Sequence, residues 1–242
     1  MTEPDAEAEG VSLADAVRWL QDEGMARLAS LGSGASGPAA AYTVDVASGV
    51  VTTYPVTNGG IGSETTTLGA DDLPAPQPTT NRLVTVGVTT ADAVLVVDLA
   101  ASLTITINAD RPEPAARAWV TQLLMNPDVS LTTNSSDVVV GDSPRCKQTF
   151  IPGGGGRIIS VDDGRPPVTT VTLNSEMDGP DHLDIAADGT GEMYLGNRFW
   201  QLRQVISIAD DAWAALAAAL DGNDDDRPGY SDDRTPSVES MQ

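Results

Sequence analysis

The chain has 242 residues, of which 35 are Asp or Glu and 13 are Lys or Arg, so its net charge is −22. Phosphate backbones and anionic lipid headgroups repel so negative a chain, which argues against direct binding of nucleic acid or of a membrane surface. Hydrophobic residues make up 40% of the sequence but aromatic residues only 4%. We therefore expect an aliphatic core rather than a disordered chain.

Two residue types that carry much enzyme chemistry are nearly absent. The sequence holds one Cys and one His, which excludes an internal disulfide and a metal cage built from cysteines. We predict no cofactor and no metal site.

The sequence also bears on the compartment. Its N-terminal residues lack the basic start and the apolar run of a secretory signal. No apolar run approaches the roughly 18 residues that a membrane-spanning helix needs. We therefore expect a cytoplasmic protein without direct membrane insertion, or one that a larger protein or a partner holds at a membrane.

Residues 1–10 read as an acidic, disordered lead, and residues 11–57 as a unit made of a helix and a hairpin. Ser12 and Asp15 have the spacing of a capping box at a helix N-terminus. Apolar or small residues then recur every three or four positions, as on one helix face. These positions are Leu13, Val17, Leu20, Gly24, Leu28 and Leu31.

The hairpin of this unit is predicted by two strand-like runs, 42–46 and 50–54, which flank Ala47-Ser48-Gly49. Residues 58–81 follow and are rich in Thr, Gly and Pro. We interpret them as a linker or a surface excursion.

Residues 82–220 are predicted to form the main domain, with a mixed sheet. Pro112 and Pro114 favour the first turn of a central helix, and Asn126-Pro127 ends it. The predicted strands here are Leu83–Val88, Val94–Leu99, Leu103–Ile107, Val138–Val140, Ile158–Val161 and Val168–Leu173.

The last third of the domain predicts a β-meander and a helix. Gly196-Asn197 has the composition of a two-residue hairpin loop between 192–195 and 198–206. Asp210 and Asp211 place acidic charge at the start of a final helix. Residues 221–242 then read as an acidic, disordered tail.

These elements define the expected fold class, α/β or α+β. It comprises a mixed β-sheet with a packed central helix, an N-terminal helix and hairpin unit, a C-terminal β-meander and a last helix.

The order of several segments resembles a known family. The segments are Asp72–Pro76, Leu83–Gly87, Val94–Leu99, Leu103–Ile107, an Ala-rich helix with Ala115-Ala116-Arg117, and Ala187–Gly191. Together they are similar to the central region of large actinobacterial proteins that combine membrane segments, a LysM-type module and a transcriptional-activator-type domain. The similarity covers most of residues 11–220.

In that family, two strands and an Arg-containing helix stand where a P-loop ATPase has its phosphate loop. The present sequence lacks the family's membrane helices, LysM module and DNA-binding end. The resemblance implies a degenerate P-loop-like segment and a regulatory or scaffolding context in a bacterial cell, rather than a reaction.

Four motifs contain residue types that could bind a ligand or take part in catalysis. Asn108–Glu113 joins a strand to a helix but lacks the Gly, Lys and Ser or Thr of a phosphate loop, so an ordinary connection is favoured. Gly153–Gly156 precedes a strand instead of a helix, which favours a flexible loop.

Cys146 with His182 would be a catalytic pair only if the fold brought them together. The pair Asp162-Asp163 is more typical of solvated acids than of a calcium site.

The C-terminal hairpin suggests where a partner would bind. Its loop pairs Leu195 with Arg198, so one face carries Met193, Leu195, Trp200, Leu202 and Ile206 and should meet the core. The other face carries Glu192, Tyr194, Phe199, Gln201 and Arg203, a composition typical of interfaces. We expect possible partner contacts at Tyr194, Phe199 and Arg203, although the favoured alternative is that the final helix or the N-terminal unit covers them.

The sequence therefore predicts no enzyme. It predicts a non-catalytic, intracellular interaction, regulatory or scaffolding module whose partner is another protein. Two alternatives stay open. One is a small-molecule or nucleotide-binding module on a degenerate ATPase-like scaffold, and the other is a cysteine-dependent enzyme.

Overall fold

The computed structural model describes residues 12–32, 38–56, 65–77, 81–141, 143–150, 156–175 and 179–221. These residues form one mixed sheet of 13 strands with a few helices, which confirms the predicted α+β architecture. The predicted lead of residues 1–10 and residues 222–242 of the predicted tail lie outside the described residues.

The helices are α1 (Leu13–Trp19), α2 (Met25–Gly32), α3 (Glu113–Met125) and α4 (Asp210–Asp221). The strands are β1 (Ala39–Asp45), β2 (Val51–Pro55), β3 (Thr66–Leu68), β4 (Leu83–Thr89), β5 (Ala93–Asp98), β6 (Thr104–Asn108), β7 (Ser130–Thr133), β8 (Cys146–Gln148), β9 (Arg157–Asp162), β10 (Thr169–Leu173), β11 (His182–Ile185), β12 (Gly191–Leu195) and β13 (Arg198–Val205).

The strands lie in the order β3-β2-β1-β5-β4-β13-β12-β11-β6-β10-β9-β7-β8. Most neighbours are antiparallel, whereas β6 runs parallel to both β10 and β11, and β7 runs parallel to β8. Strands β11, β12 and β13 are successive antiparallel neighbours, which confirms the predicted C-terminal meander.

The N-terminal helix begins at the predicted capping box. The Asp15 N–H donates to Ser12 Oγ, and the Ser12 N–H donates to Asp15 Oδ2, each at 3.3 Å. A π-helical segment, Leu20–Gly24, joins α1 to α2. A β-carbon at Gly24 would lie 2.8 Å from the Trp19 ring, so the indole occupies the space that a side chain would need.

The predicted hairpin is β1 and β2, and β1 also pairs with β5 from Ala41 to Asp45. The predicted helix–hairpin unit and the predicted main domain therefore share one sheet. Within the predicted linker, Thr66–Leu68 forms β3 on the edge of β2. Backbone pairing thus orders a segment whose composition suggested only a linker.

Side chains of β5 show how the core is divided into two layers. Val94 and Val96 pack against α1 and α2 on one face of the sheet. Leu95 and Val97 belong to the cluster on the opposite face, which also contains Trp119 of α3. The N-terminal helices and α3 thus lie on opposite faces of the sheet, and β4 contributes side chains to both layers, Leu83 to one and Val84 and Val86 to the other.

A buried ion pair holds distant parts of the sheet together. Arg82, which precedes β4 and is 1% exposed, donates to Asp163 Oδ1 at 2.6 Å and to Thr169 Oγ1 at 2.9 Å. Burial alone raises the pKa of Asp163, but hydrogen bonds from Arg82 and Arg165 outweigh this and hold the pKa below its usual range. Because β4 and β9 lie six positions apart in the sheet order, the sheet must curve to bring them together.

Not every predicted strand is present. Val138–Val140 was predicted as a short strand, and this prediction is wrong, because Ser136–Val138 forms a 3-10 turn with the Val139 N–H bonded to the Ser136 carbonyl. Val138 and Val140 are still buried, so the pattern correctly indicated burial at these positions but not the backbone conformation. Strands β7 and β8 were not predicted, since they are short and partly polar.

Candidate functional site

The hairpin of β12 and β13 brings aromatic side chains together as its loop predicts. Tyr194 pairs with Phe199 across the hairpin, and His182 of β11 pairs with Tyr194. The His182 and Tyr194 rings stack with centroids 4.4 Å apart, and the Tyr194 and Phe199 rings lie 5.0 Å apart. We call these three residues the aromatic row.

A second row lies two residues along the same strands. It consists of Asn108, Asp184, Glu192 and Gln201, which pair in that order across β6, β11, β12 and β13. Asn108 Nδ2 donates to Asp184 Oδ1 at 2.8 Å. We call these four residues the polar row.

One hydrogen bond joins the two rows. The Tyr194 hydroxyl donates to Glu192 Oε2 at 2.8 Å, and this bond raises the pKa of Tyr194. A depression of about 480 Å³ lies beside the polar row and is lined by all four of its residues together with Asp110. The candidate site therefore combines the exposed ring surface of the aromatic row with the acidic depression beside the polar row.

The faces of the hairpin agree with the predicted register. Met193, Leu195, Trp200 and Leu202 are buried, whereas Phe199 is 50% exposed. The placement of Ile206 on the core-facing side was wrong, because a β-bulge between Leu202 and Gln204 shifts the alternation and Val205 is buried instead.

The favoured alternative, that the chain's own helices cover the second face, is also wrong for the described part of the chain. Trp213 of α4 is buried in the core cluster that contains Trp200, on the opposite face from Phe199. Helices α1 and α2 pack over β1, β4 and β5. Phe199 therefore stays half exposed.

Arg203, the third predicted contact, lies apart from the two rings. Its Nη2 donates to Asp92 Oδ1 at 2.9 Å, and both side chains are largely exposed. It lies four positions along β13 from Phe199, about 13 Å along a strand. Sequence reasoning assigned faces only to the two strands of the Gly196-Asn197 hairpin, so it missed His182 and Asp184 of β11, although their alternation with Leu183 was visible.

The segment Asn108–Glu113 is an ordinary strand-to-helix connection. Arg111 donates to Asp210 Oδ2 at 2.6 Å, and this bond together with one from Arg117 holds the pKa of Asp210 below its usual range. Glu113 forms an ion pair with Arg157. The arginine that could meet a phosphate is thus already engaged by a carboxylate.

The proposed catalytic pair does not form. Cys146 is 4% exposed and belongs to the core cluster, and burial raises the pKa of its thiol. His182 lies on the outer face, five positions away in the sheet order, where its Nδ1 contacts the Gly179 carbonyl at 2.9 Å. A thiolate paired with this imidazole is incompatible with that arrangement.

The remaining motifs have structural explanations where they are described. Asp163 binds Arg82, and Asp162 Oδ1 accepts from the Gly164 N–H. Of the Gly153–Gly156 run, only Gly156 lies within the described residues. Across the described ranges, no three His, Cys, Asp or Glu side chains are grouped as a metal site would require. None of the described helices is long and apolar enough to span a bilayer.

A separate groove of about 730 Å³ lies between the N-terminal helices and α3. It opens where β13 diverges from β4. At that point, the side chain of Gln122 forms hydrogen bonds with backbone groups of β4 that β13 does not pair. The Thr85 N–H donates to Gln122 Oε1 at 2.7 Å, and Gln122 Nε2 donates to the Thr85 carbonyl at 3.2 Å. Mostly apolar side chains line its walls, among them Val17, Leu20, Met25, Leu123, Met125 and Ile208.

Comparison of the chain with protein-family models, with curated proteins and with solved structures gives no match. The resemblance to the actinobacterial multidomain proteins thus stays a prediction.

Proposed function

We propose that the chain is a non-catalytic, intracellular interaction module that binds another protein through the aromatic row. The observation that carries this proposal is the half-exposed Phe199, whose ring centroid lies 5.0 Å from that of Tyr194. Aromatic side chains are scarce here, at 4% of the sequence, yet two adjacent rings lie on an outer face. Aromatic residues dominate the energetics of protein interfaces because they bury a large area at little cost in side-chain entropy.

The role we propose for this module is regulatory or scaffolding, in line with the resemblance stated above. The thiol of Cys146 is buried and its pKa is raised, and Arg111 is bound by a carboxylate. The buried thiol counts against the cysteine-enzyme alternative, and the ion pair of Arg111 counts against the nucleotide alternative.

A photo-crosslinking residue at position 199 tests the proposal in the full chain. We expect an adduct with one predominant protein partner, lost when Tyr194 is replaced by Ala. The matched control places the same crosslinker at Leu103, which is 65% exposed and lies outside the aromatic row. Equal adducts at both positions, or none at 199, would overturn the proposal.

A second candidate function is the binding of a small apolar molecule in the groove between α3 and the N-terminal helices. Its volume of about 730 Å³ lies in the range typical of ligand sites, and Met125 at its rim is 63% exposed. The neutral fluorophore N-phenyl-1-naphthylamine tests it. We expect saturable binding that Met125→Arg abolishes and Leu103→Arg does not. Equal effects of the two variants would exclude a specific site.

A further inference from the structure

The charges around the aromatic row are of one sign. Of the described residues that line the 480 Å³ depression, Asp110, Asp184 and Glu192 are acidic and none is basic. The cation next along β13, Arg203, is paired with Asp92. A ligand in this depression therefore meets carboxylates that no arginine of the lining neutralises.

The carboxylates are held in place but are only partly used. Asp184 accepts the Asn108 amide at one oxygen, and Glu192 accepts the Tyr194 hydroxyl at Oε2. The second oxygen of Glu192 and that of Asp184, whose Oδ2 lies 3.7 Å from His182 Nε2, retain acceptor capacity for a ligand, since an ionised carboxylate accepts several hydrogen bonds. Asp184 keeps 46% of its side chain exposed.

The distance between the rows suits one kind of side chain. The aromatic and polar rows lie two residues apart along each strand, about 6.6 Å. A lysine or arginine can lay its aliphatic stem along a ring and carry its charge to a carboxylate at that distance. A cation near the Tyr194 or Phe199 ring is also attracted by the ring face.

From this arrangement we infer that the partner is a protein that presents an extended segment with Lys or Arg at alternate positions. Its cationic heads enter the acidic depression, and their stems cover the aromatic row. This inference rests on the proposed function, because it names the chemistry of the partner at that same surface. The net charge of −22 also favours rapid approach of a basic segment.

Fluorescence polarisation with a labelled peptide of alternating Lys and Thr tests the inference on the full chain. A peptide of the same length with Gln in place of Lys is the reference. We expect the Lys peptide to bind and the Gln peptide to bind at least about tenfold more weakly, because the contact depends on charge and on the rings. Added salt should weaken the Lys peptide's binding.

A matched pair of double variants distinguishes binding at the depression from a general electrostatic attraction of the peptide to the acidic chain. Asp184→Asn with Glu192→Gln removes two charges at the depression, whereas Asp71→Asn with Asp72→Asn removes two exposed charges on the β3–β4 connection. We expect the first double variant to weaken Lys-peptide binding about tenfold and the second less than about twofold. Both variants keep their hydrogen-bond acceptors, and circular dichroism checks that they fold.

Three results would overturn the inference. The first is an equal loss of Lys-peptide binding in both double variants, and the second is equal binding of the Gln peptide. The third is binding of the oligosaccharide chitohexaose at these rows in place of the Lys peptide. In each case, a position-specific adduct from the crosslinker at 199 leaves the proposed function standing, and its absence removes that function as well.

Discussion

One face of the sheet is covered by helices in one region of the molecule and is open in another. Over β1, β5 and β4, which we call the covered half, α1 and α2 pack on this face and bury Val94 and Val96. Over β11, β12 and β13, the open half, the face carries the aromatic and polar rows, with Phe199 half exposed. The opposite face of both halves lies against one core cluster.

The sequences of the strands reflect this difference in coverage. In the covered half, every residue of β4 is buried because both of its faces are covered, and its side chains are apolar or small. In the open half, β12 and β13 alternate between buried and accessible residues, as strands with one solvated face do. A strand covered on both faces thus contributes stability, whereas one covered on a single face can present side chains to a partner.

The largest expected difference between the halves concerns arginine. Arg82→Met in the covered half removes the buried partner of Asp163 and leaves it only the exposed Arg165, so we expect a loss of about 3–5 kcal/mol in the free energy of unfolding. Arg203→Met in the open half removes an exposed pair with Asp92 and should cost at most about 1 kcal/mol. Urea denaturation measures both, and similar losses would contradict the comparison.

Apolar truncation should show the same contrast. Leu28 of α2 is fully buried against the covered half, and Leu28→Ala should cost about 2–5 kcal/mol. Phe199→Ala in the open half should cost less than about 1 kcal/mol, since it loses mainly a cross-strand contact with Tyr194. A large loss of stability for Phe199→Ala would assign the ring to the core and remove it from the proposed interface.

A third pair of substitutions replaces one glutamine that contacts the covered half and one in the open half. Gln122→Leu removes both hydrogen bonds to the Thr85 backbone and should cost about 1–3 kcal/mol, because it leaves buried polar groups unsatisfied. Gln201→Leu, at an exposed position of the open half, should change stability by no more than about 0.5 kcal/mol. Hydrogen exchange adds a local check, since the Thr85 amide should exchange faster in the first variant only.

Local patterns predicted more of the open half than of the covered half. The two-residue loop at Gly196-Asn197 determined the pairing of Tyr194 with Phe199, because hairpin register depends only on neighbouring residues. The capping box at Ser12 is equally local. Pairings between distant segments leave no such pattern, so neither the contact of β1 with β5 nor the parallel pairing of β6 with β11 was predicted.

The candidate site was predicted only in part for the same reason. Tyr194 and Phe199 share one hairpin, and their outward direction followed from alternation. His182, Asp184 and Asn108 reach the site through β11 and β6, whose parallel pairing depends on the whole sheet. The bulge at Leu202–Gln204 arises from pairing with β4, which explains why Val205 rather than Ile206 is buried.

The smallest expected difference is a pH dependence of opposite sign in the two halves. In the covered half, burial raises the pKa of Asp98, although the Ala100 N–H and Arg82 oppose this. Its contribution to stability is therefore greatest below the unfolded pKa of about 3.9 and is lost as the pH rises through the folded pKa. In the open half, the Thr190 hydroxyl and N–H hold the pKa of Asp188 below its usual range. Its contribution is present above about pH 3.9 and is lost as the pH falls through the folded pKa.

Asp98→Asn and Asp188→Asn test these signs, and each removes one negative charge from the chain. Asp98→Asn keeps an oxygen that can accept the Ala100 N–H, so it should become more stable relative to the parent protein as the pH rises from about 4 to 7. Asp188→Asn should instead be less stable than the parent above about pH 4, by a small amount because the carboxylate is exposed. Urea denaturation across this pH range measures both differences. The same sign for the two variants would mean that the change in net charge, rather than burial in one half and exposure in the other, governs the pH dependence.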